Sequence, residues 1–250
     1  MDGRRKRNGA ALAGYVALAG TTLALAEWLR QRGVPARLTR KLVHVTAGSS
    51  PLFILPIAAD KWAGLLPYLL TIPMNLALWR SRTLRSLESS AQSPGIVYFA
   101  IAQSALIAAL WKPQSTLSEN ADLFSGLMAL TWGDALAALV GQTMGQHHYG
   151  AVGRQKSLEG SAAMFVTTAT TTALLQRTTT NDPARLLARA TLAASAATVA
   201  EGLTHEGRDN LAVPVAVVGA LKALSDRLRG RRESYSGWDG KARSTHADRD

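Results

Sequence analysis

The feature that most constrains this chain is the length of its apolar runs. They exceed the short helical or strand periods of a soluble domain and reach the roughly 17 to 25 residues that a helix needs to cross a bilayer. Such runs fall at about 9–28, 42–59, 62–79, 96–111, 121–145, 160–176, 186–203 and 210–225. The fold class expected is therefore all-α, an integral membrane bundle of about eight transmembrane helices, seven to nine. Many of the runs are rich in Ala, Thr and Ser, small residues that favour close helix packing over lipid contact. A soluble helical bundle is the rival reading.

Between the runs the chain is basic, with 28 Lys and Arg against 17 Asp and Glu, for a net charge of +11. No contiguous basic face with aromatic or helical readers accompanies that charge, so nucleic acid is excluded as a partner. The clusters Arg4 to Arg7 and Arg227 to Arg232 read as juxtamembrane anchors for anionic headgroups. The 250 residues include no cysteine, which removes disulfides, thiolate metal sites and a cysteine nucleophile. "NGAALAGYVALAGTTLALAEW" is long for a signal sequence and is followed by further spans, so it reads as a retained first helix. The absence of room for a Ser- and Arg-rich transit peptide favours a bacterial protein.

The chain shows neither an internal repeat nor a separating linker, so 1–225 is expected to be one membrane domain and 226–250 a basic, disordered tail. With eight helices, the first, third, fifth and seventh connections share one side. Positive-inside counting is divided: "RQRGVPARLTRK" and "RSRTLR" argue for that side, the terminal basic clusters for the other.

Three polar constellations stand at those connections. In "RLTRKLVHVTAG", Arg37, Lys41, His44 and Gly48 recur at four, three and four residues and so share a helical face. In "TWGDALAALVGQTMG", Asp134 lies within a span, where a charge costs on the order of 2.5 to 3.5 kcal/mol and signals function by default. Gly141 and Gly145 follow on its face, open to a ligand or to another helix. Beyond them Lys156 and Ser157 head the next helix, with Glu159 and Gly160 just inside, an arrangement suited to binding phosphate. It is not a Walker loop, because Gln155 stands where the glycine before lysine belongs. In "VAEGLTHEGRDNLAVPV", Glu201, Glu206, Asp209 and Asn210 offer oxygen ligands for a hard cation such as Mg²⁺, or else a solvated loop with an Asx cap.

These residues carry a resemblance. "RKLVHVTAG", "SPGIVYFAIA", "TWGDALAALVGQTMG", "KSLEGSAAMF" and "EGLTHEGRDNLAVPV" occur in the order found in the polyprenol kinase family, over about residues 37 to 220. That family includes phytol, farnesol and dolichol kinases and is more distantly similar to CDP-diglyceride synthases; the pieces look most like cyanobacterial and plastid phytol kinases. The resemblance implies transfer of the γ-phosphate of a nucleotide, typically CTP, to the primary hydroxyl of an isoprenoid alcohol, phytol foremost. It implies that Asp134 is the acid of the GD motif, Lys156 the lysine of K-S/T-x-x-G, and Asp209 with Asn210 the DN pair. Lys41 and His44 match its RKxxH entry. The expected catalytic set is thus Asp134, Lys156, Asp209 and His44. Lys41, Gly141, Gly145, Ser157, Glu159, Gly160 and Asn210 are expected to bind the nucleotide, and Asp134, Asp209 and Glu201 the Mg²⁺. Glu159 and Glu201 are expected to orient Lys156 or a metal-bound water. The setting implied is a bacterial inner or thylakoid membrane with the site facing the cytoplasm. A CTP-using cytidylyltransferase of a lipid phosphate and a membrane transporter are the rival functions.

Overall fold

The computed structural model describes residues 2–81, 94–150, 156–205 and 207–247, with side chains described as far as Arg229 except at Ser81. Parts of the expected polar segments therefore lie outside the described residues: Arg82 and Arg85 of "RSRTLR", residues 151–155 before Lys156, and Glu206.

The architecture is nearly all helical. In chain order the helices are α1 (Asp2–Gln31), α2 (Ala36–Ile54), α3 (Lys61–Ser81), α4 (Gly95–Leu110), α5 (Ala121–Met128), α6 (Asp134–Met144), α7 (Leu158–Gln176), α8 (Pro183–Leu203) and α9 (Asp209–Ala247). A π-helical turn, Ala129–Gly133, joins α5 to α6, so the two form one rod and the described residues make eight rods. Three of these, Asp2–Gln31, Lys61–Arg80 and Ala121–Met144, are long and apolar enough to cross a membrane. The exterior is also apolar: Phe53, Trp62, Leu70, Val166, Leu174 and Leu187 are all more than half exposed. An outer surface of that kind suits lipid contact and would be a liability in water.

The α5–α6 rod is the centre, packed by α7 and α9 and touched by α2. Small residues set the spacing. A Cβ on Gly126 would meet the Pro214 carbonyl at 3.0 Å, and one on Gly133 would meet Met164 Sδ at 2.7 Å, so these helices approach as closely as backbones allow. One buried cluster gathers Tyr68, Ile107 and Leu127 from three rods with Leu55 and Trp111, the residues after α2 and α4; a second joins Ala137, Met164, Ala197, Val213 and Val217.

Three elements differ from the sequence expectation. The connection at 146–158 contains a two-residue antiparallel ladder, β1 (His148–Tyr149) with β2 (Lys156–Ser157), entered through Gly150 at φ +92°. Helix α9 continues to Ala247, where a disordered tail was expected. Pro214 is the sole proline in α9, so every residue beyond it has a backbone N–H for the helical ladder. The third is at Arg4 to Arg7, where two of the basic residues also bond to the protein. Arg4 pairs with Asp60 and Arg7 donates to the Pro56 and Ile57 carbonyls, while Asn8 Oδ1 accepts the Ala59 and Asp60 N–H groups. These bonds tie the start of α1 to the α2–α3 connection.

Candidate active site

The start of α2, the end of the α8 rod and the starts of α7 and α9 come together at one end of the bundle. From α2, Lys41 donates to Asp134 Oδ2 at 2.6 Å and reaches the Asp134 carbonyl at 3.3 Å. Both side chains are about one-fifth exposed, so the buried acid has its counter-ion built in.

The π turn explains the third member of this group. The Asp134 N–H bonds back to the Ala129 carbonyl, one residue farther than an α-helix would place it. The Leu130 carbonyl thereby loses its α-helical donor. It accepts instead from His44 Nε2 at 3.0 Å, and the same nitrogen lies 3.5 Å from Asp134 Oδ2. A bond to a carbonyl requires a proton on Nε2. His44 thus presents an N–H to the acid, with its ring held against Phe99 at a 4.7 Å centroid distance.

A second charged group faces the first. Lys156, on β2, pairs with Glu201 at the end of α8 and lies 3.6 Å from Asp209 Oδ2 at the start of α9. Burial works against its charge, but Glu201 and Asp209 outweigh burial and hold the ammonium above the ordinary lysine range. Asp134 feels the charges of Lys156 and Asp209. Glu201 Oε2 is buried with no hydrogen-bond partner among the described residues. Asp209 Oδ1 accepts the Asn210 N–H at 3.0 Å, and Asn210 Nδ2 donates to the Gly95 carbonyl at 3.0 Å, which ties α9 to α4.

Asp134, Asp209, Asn210, Lys41 and His44 line one cavity of about 290 Å³, whose far walls are apolar faces of α1 to α4. Two acids from distant connections therefore share one space. Among the described residues no three His, Asp or Glu side chains form a ready-made metal cluster.

Other expected members do different work. Gly141, Gly145 and Gly160 do not line the cavity but let α6 and α7 touch: a Cβ on Gly160 would meet the Ala137 carbonyl at 2.9 Å and Gly141 Cα at 3.3 Å, and one on Gly145 would meet Ser157 Oγ at 2.8 Å. Ser157 is spent as the N-cap of α7, accepting the Gly160 N–H at 3.0 Å. Glu159 turns away from Lys156. It accepts from His147 Nδ1 at 2.6 Å and from the His147 N–H, contacts that bring its carboxyl down to about 2. Arg37 is exposed, and the cation that joins Lys41 in the cavity is Arg40, which the sequence reading passed over. Arg40 has no hydrogen-bond acceptor among the described residues.

No family model matches the chain, and no solved structure matches it. A curated relative does: phytol kinase of Synechocystis sp. is 30% identical over 200 residues, covering 78% of this chain and 83% of that protein. Identity at that level extends over most of both chains. The chain belongs to the polyprenol kinase family and is a phosphotransferase that acts on an alcohol.

Proposed function

We propose that the protein transfers the γ-phosphate of CTP to the primary hydroxyl of an isoprenoid alcohol, phytol foremost, at a bacterial membrane. All eight rods cross the bilayer, and the charged end of the bundle faces the cytoplasm, where nucleotide is found. One observation carries this reading: a single cavity joins Asp134, Lys41 and Asp209 at one end to the apolar walls of α1 to α4 behind them. An alcohol with a long hydrocarbon tail and a reacting hydroxyl has that same division.

Mg²⁺ fits the donor set. Asp134 and Asp209 open onto the same space, and the buried Glu201 Oε2 lacks a partner among the described residues; Mg²⁺ is commonly held by one or two carboxylates together with phosphate oxygens and water. Asp134 and Asp209 would hold it, and once bound it would neutralise charge on the phosphates. Lys156, fixed by Glu201, and Arg40, which lines the cavity, bind phosphate oxygens. Lys41 holds the Asp134 carboxylate in orientation. The hydroxyl oxygen forms the new bond to the γ-phosphorus, the bond from that phosphorus to the β–γ bridging oxygen breaks, and CDP departs. His44 Nε2 is engaged as a donor, which leaves the proton to the Asp134 and Asp209 pair. Positioning and charge neutralisation supply most of the rate in such a transfer.

The test is turnover by purified protein in nanodiscs with Mg²⁺, labelled CTP or ATP, and alcohols from geraniol to dolichol. CDP and a prenyl monophosphate are expected. Pyrophosphate release would identify a cytidylyltransferase instead, and solute movement without nucleotide turnover would identify a transporter.

A further inference from the structure

We propose that the cavity behind Asp134 is the subsite for the alcohol's chain, that it grips only the first two to three isoprene units, and that the remainder leaves past Met74 into lipid. The inference rests on the kinase reading for the chemistry of the ligand. It adds where the chain lies and how much of it the protein senses.

Depth gives the first estimate. The cavity follows α2 from Lys41 through His44 and Ala47 to Ser50. Counted from Lys41 that is about 14 Å at the helical rise, and from His44 about 9 Å. An isoprene unit adds four chain bonds, about 5 Å when extended. The hydroxyl must sit beside Asp134, which touches both Lys41 and His44, so two to three units fit below it.

Volume gives an upper bound, because the polar end beside Asp134 and Asp209 belongs to the same space. A dry apolar cavity of about 150 Å³ takes up benzene, six carbons. The 290 Å³ here corresponds on that scale to about a dozen carbons. Depth allows about ten to fifteen carbons and volume about a dozen at most, both short of the twenty in phytol.

The deep end is a stop. Ser50 Oγ donates to the Ala47 carbonyl at 2.7 Å and meets Tyr68 Oη at 3.2 Å, Gln103 Nε2 donates to the Ala47 carbonyl at 3.1 Å, and Tyr15 stands edge-on to Tyr68 at 5.1 Å. These polar groups are satisfied by the protein and offer a ligand no second anchor. The side wall is different. Met74 lines the cavity yet is 46% exposed, so the space opens there toward the outside of the bundle. Carbons beyond the exit lie in lipid, bound or unbound, and add nothing to binding.

The expected profile is kcat/KM for C15, C20 and longer polyprenols equal within about threefold in nanodiscs. Ala19, which faces the cavity from α1, is the place to shorten it. Ala19→Phe sets a ring across the chain path and should lower the ratio of C20 to C10 turnover about tenfold. The ratio is internal to each preparation, so loss of folded protein cancels. A C20 alcohol bearing a diazirine on its second isoprene unit should label peptides around Ala19 and Met74. A collapse of turnover beyond C20, an unchanged ratio in A19F, or no labelling at those peptides would each overturn the proposal. Labelling there without phosphorylation of any alcohol would overturn the kinase reading and leave the chain subsite standing.

Discussion

A carboxylate buried in an apolar rod persists only if something compensates it, and Asp134 is compensated twice, by the Lys41 ammonium and by the His44 N–H. Both partners come from α2, so the acid is positioned before any ligand arrives. Asp134→Asn keeps the shape and removes the charge, and phosphoryl transfer should fall about 100-fold or more while the protein still elutes as folded protein from size exclusion. Near-normal turnover in that variant would remove Asp134 from the mechanism. Lys156 is positioned by the same logic from the other side, through Glu201 and Asp209. Lys156→Ala should raise the apparent KM for nucleotide about tenfold and leave that for the alcohol little changed, because the ammonium serves phosphate. An unaltered nucleotide KM would mean that the lysine serves only to neutralise Glu201.

Among the elements, the π turn determines what the central rod can offer. Its one extra residue frees the Leu130 carbonyl, and His44 takes it. Deleting Ala129 should restore a continuous α-helix, return that carbonyl to the backbone ladder and leave His44 without its acceptor. Turnover is expected to fall about tenfold, and His44→Ala should add little to the loss, since both changes remove one interaction. Additive losses would show that the turn acts by another route. An extra residue of this kind was illegible in "MALTWGDALAAL", because inserting one apolar residue into an apolar run leaves its hydropathy unchanged. The rods themselves were legible for that reason: run length alone marks them. Lys41, His44, Asp134, Lys156 and Asp209 were legible because polar groups stand out against apolar spans, and the alternation of spans put them at one end. What the glycines do was not legible. Their spacing announces a close approach, but only the coordinates show that Gly141 and Gly145 receive Ser157 and Gly160. Likewise helical period groups Arg37 with Lys41 without saying which side of α2 meets the cavity, and Arg40, one position before Lys41, is the arginine that joins it there.

At the scale of the whole molecule the eight rods of the described residues are tied at both ends by polar groups, and the proposed chemistry lies at one of them. At the end away from Asp134, Arg189 of α8 donates to Gln176 of α7 at 2.7 Å, to Ser225 of α9 at 2.9 Å and to Asp122 of α5 at 2.5 Å, while Gln176 also donates to Asp122 at 2.8 Å. Arg189 is 12% exposed and each of its donor nitrogens meets an acceptor, so the guanidinium fixes four elements in register. The four residues are scattered over more than 100 positions of sequence, which is why no local pattern reveals them. Arg189→Met leaves the Asp122 charge without its counter-ion, at a cost of roughly 3–5 kcal/mol. The unfolding midpoint in detergent should drop accordingly. Adding Asp122→Asn removes the stranded charge and should recover part of the loss. Neither change touches the cavity, so the KM values of the folded fraction should stay within about twofold. If R189M instead weakened nucleotide or alcohol binding in folded protein, the two ends would be mechanically coupled through the α7–α8–α9 layer rather than independent ties.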